Sequence, residues 1–357
     1  MGSPFDDMAW EGIGWQRALS ARYRRLGRLL RLHIDLTFDC PLACSHCYLQ
    51  GHADKGPELE TETWKQVLRE AAQSRVLFLL ISGGDPMLRP DFWDLVEAAR
   101  SLHFNVRIKT TGILLEAEDA LRLARLGNVS VDVSLHGARP ETHDRFVGRP
   151  GAFATTIQAI HILRASNIPV AISMSVVADN IGEAQDLIAM GKNLGARVRT
   201  SGILTHQSDG QYPNVVPASI EAQAQLTANV TPMLENAPTK TSPDDPLCLA
   251  GHDGLYIGPT GDVSPCVAWP RILGNVRLQS LKDIFTSHEA EVIRALRQRD
   301  RTRCFGCNLL LDCSFCPGEA ELSCQDCLAP PRSSCDQALV MQRTRQIRLE
   351  RSGHTHG

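Results

Sequence analysis

Residues 40–47 read Cys40-Pro41-Leu42-Ala43-Cys44-Ser45-His46-Cys47, and they follow directly on an apolar run, 32–38, that reads as a strand. Three thiolates within eight residues can wrap one iron–sulfur cube and bind three of its irons, leaving the fourth open to an exogenous ligand. The same soft ligands could hold zinc, with His46 or His52 completing the site. They could also be three unrelated buried thiols. Spacing alone favours the cluster and leaves the other two readings standing.

Working outward from this loop, short β-rich runs alternate with stretches of helical length. The expected strands are 32–38, 76–82, 105–110, 129–135, 170–177 and 197–203. The expected helices between them are 60–72, 91–102, 116–126, 151–166 and 181–194. Such alternation implies parallel strands joined by right-handed crossovers. It suits an incomplete (β/α) barrel or a doubly wound sheet, and in both the chemistry sits at the C-terminal ends of the strands.

The polar segment 209–246, rich in Pro, Asn, Thr and Asp, reads as a connection. Beyond it nine of the twelve cysteines fall within 248–335, a stretch with little periodicity that would use metal centres as its scaffold. The units are therefore an N-terminal extension (1–30), a barrel (31–208), a linker (209–247), a cysteine-rich domain (248–340) and a tail (341–357). On spacing alone the cysteine-rich part could be a zinc ribbon or knuckle.

With 43% apolar residues, the 357-residue chain can bury a substantial core. A formal net charge of −3 gives no long-range pull toward nucleic acid or anionic membrane. The local basic runs 22–31 and 294–303 read as solvated helix faces. No apolar run is long enough to span a membrane, and the polar, acidic residues 1–11 are no signal-peptide core. The expectation is a cytoplasmic protein, where many cysteines mean metal ligands more often than disulfides.

Cys-x3-Cys-x2-Cys on the loop after the first strand resembles the signature of radical S-adenosylmethionine (SAM) enzymes. The resemblance implies a partial (β/α)6 barrel with a [4Fe–4S] cluster at Cys40, Cys44 and Cys47, whose open iron SAM chelates. Cleavage of SAM would give a 5′-deoxyadenosyl radical that abstracts hydrogen from a substrate, the protein supplying geometry and exclusion of solvent. His46, at a position usually aromatic in the family, would flank the adenine. Ser82-Gly83-Gly84-Asp85-Pro86 resembles the family's Gly-Gly-Glu-Pro element, whose paired glycines let backbone approach the SAM amino group. Asp85 stands for the usual Glu. Thr110 falls where relatives have Thr-Asn-Gly, and Ser134 resembles a serine near SAM. Arg145 would pair with the SAM carboxylate. Each element ends an expected strand, where one ligand could touch them all.

The later cysteines are similar to those of the SPASM domain, an auxiliary-cluster module. The pattern is Cys248-x12-Gly261-x4-Cys266, then Cys304-x2-Cys307-x5-Cys313-x2-Cys316, then Cys335, with the Cys313–Cys316 spacing one residue short. The resemblance assigns Cys304, Cys307, Cys313 and Cys335 to an outer cluster, and Cys248, Cys266 and Cys316 to an inner one. The inner set lacks an obvious fourth ligand, because relatives that supply it have a cysteine near Gly254. The extra thiols Cys324 and Cys327 could fill the vacancy. One or two auxiliary clusters are expected.

Family members with such clusters act mostly on ribosomally made peptides, forming crosslinks or oxidising them. A peptide is the expected substrate, and a small molecule is the alternative. An iron–sulfur electron carrier is a remote third reading that gives the SAM-contact elements no purpose. Sulfatase-maturing relatives carry a basic Asp directly after the cysteine equivalent to Cys266, whereas this chain has Val267. About 30 residues precede the first strand, too few for a leader-peptide-binding domain. A separate leader-binding protein and a reductase or flavodoxin-like electron donor are the expected partners. The catalytic base is not legible: Asp209, Asp253 and Asp262 suit ordinary turns.

Overall fold

The structure, a computed structural model, describes residues 13–49, 56–204, 206–207, 211–230, 242–304 and 306–353. His52 and Asp209 lie outside them. Six strands pair in parallel in chain order: β1 (Arg31–Asp35), β2 (Phe78–Ser82), β3 (Asn105–Thr110), β4 (Val129–Ser134), β5 (Val170–Ser175) and β6 (Arg197–Ser201). Helix α1 (Ile13–Arg25) precedes them, and α2 (Thr61–Gln73), α3 (Phe92–Ser101), α4 (Ala117–Leu126), α6 (Ala152–Ala165) and α7 (Ala184–Asn193) fill the crossovers where sequence placed helices. A short extra helix, α5 (Pro140–Val147), sits between β4 and α6. Strand order never reverses, which excludes the doubly wound alternative with its switch point. The second neighbour of β1 is not β6, so the sheet stays open as a partial barrel.

Alternation along the strands explains how a polar site is built within a stable sheet. On β1, Leu32 and Ile34 point one way into the apolar core under the helices, while His33 and Asp35 point the other way. Val106 and Ile108 on β3, and Val131 and Val133 on β4, repeat the apolar face. The opposite face carries Arg107, whose Nη2 donates to Asp132 Oδ2 at 2.7 Å, and Ser173, whose hydroxyl donates to Asp132 Oδ1 at 2.7 Å.

The cysteine-rich part extends the same sheet. Strand β7 (Gly254–Ile257) pairs in parallel with the free side of β1, and β8 (Asp262–Ser264) and β9 (Gly274–Asn275) follow antiparallel, giving nine strands in the order β6-β5-β4-β3-β2-β1-β7-β8-β9. Four helices complete it: α9 (Leu281–Phe285), α10 (His288–Ala295), α11 (Pro317–Cys324) and α12 (Arg332–Gly353).

Three expectations are corrected. The connection 209–247 contains helix α8 (Ile220–Val230). The stretch 341–353 is no tail but the second half of α12, which packs on α8 through Ala224, Val340 and Ile347 and through an Arg343–Glu221 ion pair. The basic run 22–31 is not wholly a solvated face: Arg24 and buried Arg31 each reach Asp253 Oδ2 at 3.3 Å, joined there by Ser20. Asp253 thus ties α1 and β1 to the start of β7. No helix among the described residues is long and apolar enough to cross a membrane.

Candidate active site at the C-terminal ends of the strands

The loop carrying Cys40, Cys44 and Cys47 leaves β1 and is gripped from two sides. On one side the end of α5 accepts from it: the Ala43 N–H donates to Val147 O at 2.9 Å and the Ser45 N–H to Phe146 O at 3.2 Å. On the other, the Gly84 N–H donates to Thr37 O and the Asp85 N–H to Asp39 O, both at 2.8 Å. A Cβ on Gly84 would stand 2.1 Å from Asp39 O, and one on Gly83 2.6 Å from Thr37 O. The paired glycines therefore admit the chain's own cysteine loop to close approach.

Asp85 also turns from its expected role. Its buried carboxylate accepts from the hydroxyls of Thr110, at 2.9 and 3.0 Å, and Thr111, at 2.5 Å, and from the Thr111 and Met87 N–H groups. It fastens the end of β2 to the end of β3, and the Thr110 hydroxyl is spent on it. Ser82 is buried and Ser134 half-buried at their strand ends, beside the cysteine loop and β5 respectively. Arg145, expected to meet the SAM carboxylate, is instead exposed, because the buried side of α5 is formed by Thr142, His143, Phe146 and Val147.

Burial, with Asp85 and then Cys47 adding to it, pushes Cys40 up to about 11, and burial with Cys47 and Cys40 nearby pushes Cys44 up to about 12. Thiolates need a compensating cation here, which a multi-iron core supplies. Beside them is a wall of rings. His46 lies 4.8 Å from both His136 and Phe146, and His136 stacks on Phe146 at 4.5 Å. The His136 N–H donates to His143 Nδ1 at 3.0 Å, and the Ser175 N–H donates to His136 Nδ1 at 3.1 Å. Burial lowers His46 and His143 to about 4 and holds His136 well below the usual imidazole range, with Lys109 adding to the effect on His46. The three rings are neutral near pH 7. His46 Nδ1 and His143 Nε2 are buried with no hydrogen-bond partner among the described residues, so the wall keeps unused polar capacity beside the cysteine loop. Three thiols, apolar rings and spare buried nitrogens fit a cluster with an adenosyl ligand.

Several of the later cysteines lie within one another's electrostatic reach. Burial and the charges of Cys248 and Cys266 push Cys316 up to about 12, and burial with Cys248 nearby takes Cys266 to about 11. Cys316 is the N-cap residue of α11, and its carbonyl accepts from the Ala320 N–H at 3.0 Å. Separately, Cys313 lies in the field of Cys304 and Cys335, and Cys335 in that of Cys304, Cys307 and Cys324. Cys324 thus stands beside the outer set. Cys327 instead contacts Arg271, near Glu321 and Asp326.

A cavity of about 110 Å³ is lined by residues that follow a cysteine of each region. Tyr48 and Leu49, which follow Cys47, line one side, and Val267, which follows Cys266, lines another with Leu322 of α11. Tyr256, His206 and Asp262 add polar groups. The Tyr48 and Tyr256 hydroxyls donate to Asp35 Oδ2 at 3.0 and 2.8 Å, and His33 Nε2 lies 3.0 Å from Asp35 Oδ1. Sequence reading passed over Asp35, Tyr48, His206 and Tyr256. Their signal was placement alone: Asp35 at the end of β1, Tyr48 next to a cysteine, and His206 just beyond β6.

A family model described as the radical SAM superfamily matches residues 34–190, and one described as an iron–sulfur cluster-binding domain matches residues 248–308. The chain is 30% identical to an AdoMet-dependent heme synthase of Methanosarcina barkeri, over 82% of this chain and 93% of that protein. It is 34% identical to a PqqA peptide cyclase of Gluconobacter oxydans, over 72% and 75%. Streptococcus suis SuiB, solved with its precursor peptide SuiA, has the same fold at a TM-score of 0.67, with 19% identity over 86% of this chain and 77% of that one. On these matches the chain belongs to the radical SAM superfamily: it is an enzyme whose cofactors are S-adenosylmethionine and iron–sulfur clusters.

Proposed function

We propose that this enzyme modifies a ribosomally made peptide by abstracting hydrogen from one of its C–H bonds. The observation that carries the reading is the cavity lined by Tyr48, Leu49 and Val267: a side chain seated there touches residues that directly follow Cys47 and Cys266. Two likenesses support a peptide, a relative named PqqA peptide cyclase and the fold of SuiB, solved with a precursor peptide.

In this reading Cys40, Cys44 and Cys47 hold the cluster that binds SAM, which supplies the 5′-deoxyadenosyl radical when bound. His46, His136 and Phe146 give the adenosyl group an uncharged aromatic wall. Ser82 and Ser134 offer strand-end hydroxyls, while Asp85 and Thr110 fix the floor of the site. Cys248, Cys266 and Cys316 hold an inner cluster, and Cys304, Cys307, Cys313 and Cys335 an outer one. Neither Cys324 nor Cys327 serves the inner set, since their neighbours are Cys335 and Arg271. A flavodoxin-like protein or reductase supplies electrons, a separate protein holds the peptide's leader, and the work is done in the cytoplasm.

One observation favours a second reading, a small-molecule substrate: the relative matched over 93% of its length is named a heme synthase. Anaerobic incubation with SAM, reductant and either short peptides encoded beside the gene or haem precursors separates the two. The expected result is 5′-deoxyadenosine together with a mass change in a peptide; a change confined to a haem precursor would replace the peptide reading.

A further inference from the structure

His206 lines the cavity and is held by a carboxylate from the other half of the molecule. His206 Nδ1 lies 2.5 Å from Glu319 Oε2, and the His206 backbone N–H donates to Glu319 Oε1 at 3.3 Å. The Glu319 side chain is 1% exposed and the His206 side chain 10%. Tyr212 packs edge-on against the imidazole at 5.2 Å. One carboxylate thus grips both the ring and the backbone of one residue, which fixes the ring's orientation. With Nδ1 engaged, Nε2 is the nitrogen His206 can offer to the cavity. Its neighbour Gln207 reaches Cys47 O at 3.5 Å, so this short segment runs from the first cysteine loop to the helix that Cys316 caps.

Such a pairing orients an imidazole and stabilises the imidazolium that forms when it takes a proton. The other lining groups are less suited. Val267 and Leu322 carry no base, Tyr48 and Tyr256 already donate to Asp35, and the Asp262 carboxylate is occupied by Thr260 and Asn275.

Resting on the peptide reading above, we propose that His206 is the base of this site and Glu319 its positioning residue. The substrate class is a side chain or backbone position whose reacting carbon bears an N–H or O–H. Abstraction moves one hydrogen atom from that carbon to the 5′-deoxyadenosyl radical, giving 5′-deoxyadenosine and a carbon radical. The radical then loses one electron to an iron–sulfur acceptor and the N–H or O–H proton to His206 Nε2. A C=N or C=O bond forms, so the substrate loses two electrons and two hydrogens in all. His206 returns its proton to solvent.

The test compares wild-type enzyme with His206→Gln, His206→Ala, Glu319→Gln and Asp262→Asn, each with its clusters. The probe is the peptide, deuterated at the reacting carbon, on which wild type forms product in step with 5′-deoxyadenosine; that wild-type run tests the reading of function separately. His206→Gln should keep its iron and still pass deuterium into 5′-deoxyadenosine, while product per 5′-deoxyadenosine falls about a hundredfold. Added imidazole should restore part of the product in His206→Ala, Glu319→Gln should be impaired in the same ratio, and Asp262→Asn, whatever its rate, should keep the wild-type ratio of product to 5′-deoxyadenosine. A substrate-free arm uses diethyl pyrocarbonate, which should modify His206 ahead of the buried His136. A wild-type product ratio in His206→Gln, loss of product only in Asp262→Asn, or a His206 inert to the reagent would each overturn the proposal.

Discussion

Tyr256 and Asp35, 221 residues apart in the chain, share a 2.8 Å hydrogen bond, and the Tyr48 hydroxyl reaches the same carboxylate oxygen at 3.0 Å. One oxygen therefore joins the residue after Cys47 to the strand that opens the cysteine-rich part. Although burial works against the charge, His33 and the two tyrosines hold the Asp35 carboxyl below its ordinary value of 3.8.

Tyr256→Phe should cost about 1.5–3 kcal/mol, the value of a hydrogen bond to a charged group, read from urea unfolding of anaerobic protein. Asp35→Ala should cost more, because it strands two buried hydroxyls and His33. The carboxylate's contribution is present above pH 3.8 and is lost as pH falls through the lower folded value, because the unfolded chain takes up the proton first. A Tyr256→Phe variant as stable as wild type would remove this bond from the account.

Gly84→Ala should empty the first cluster. The new Cβ would stand 2.1 Å from a backbone oxygen of the cysteine loop, so the loop itself must move. Iron should drop by about one cluster's worth, roughly four atoms, with the auxiliary spectrum kept. Full iron content and normal SAM cleavage in this variant would show the loop tolerates the shift.

Replacing Cys40, Cys44 and Cys47 together by Ala should abolish 5′-deoxyadenosine formation and leave auxiliary iron in place. The three lie on a loop of the barrel, apart from both later sets. Production of 5′-deoxyadenosine by the triple variant would remove them from the SAM site.

Cys327→Ala should leave iron content and the reduced-state spectrum unchanged, since its thiol contacts Arg271 and not the thiols of either set. Cys324→Ala, beside Cys335, should spare the inner cluster. Loss of a cluster signal from Cys327→Ala would make that residue a ligand.

Acid should weaken the fold before it protonates carboxylates. His143 is held neutral with a value of about 4 against 6.5 when free, so the unfolded chain binds the extra proton between those values. Stability is therefore lost as pH falls below 6.5, by about 1 kcal/mol between pH 7.5 and 5.5 for His143 alone. Urea midpoints at the two pH values measure it, and His143→Gln should shrink the difference by about that amount, leaving the part due to His46 and His136.

Much of the barrel was legible because its crossovers repeat and its strands alternate: β3 occupies the expected residues, and the others overlap theirs. The two cysteine-bearing matches, 34–190 and 248–308, were legible because cysteine spacing is local. What escaped is what distance in the chain conceals. Strands β7, β8 and β9 are four, three and two residues long, too short to show a period, and they exist because β1 has an open side. Helix α5 has eight residues and a polar surface, yet its end carries the cysteine loop. The glycines at 83 and 84 stand out in the sequence, but not their close approach to Thr37 and Asp39. His206 and Glu319 are 113 residues apart, and nothing in either local stretch announces the other.

The parallel ladder between β1 and β7 leaves the molecule without a hinge where one might be sought. Four register pairs bind the strand that launches the first cysteine loop to the strand that launches the hairpin bearing Cys266. Opening a gap between the halves would mean tearing backbone hydrogen bonds from the middle of a sheet, so the span across which electrons travel is set when the chain folds.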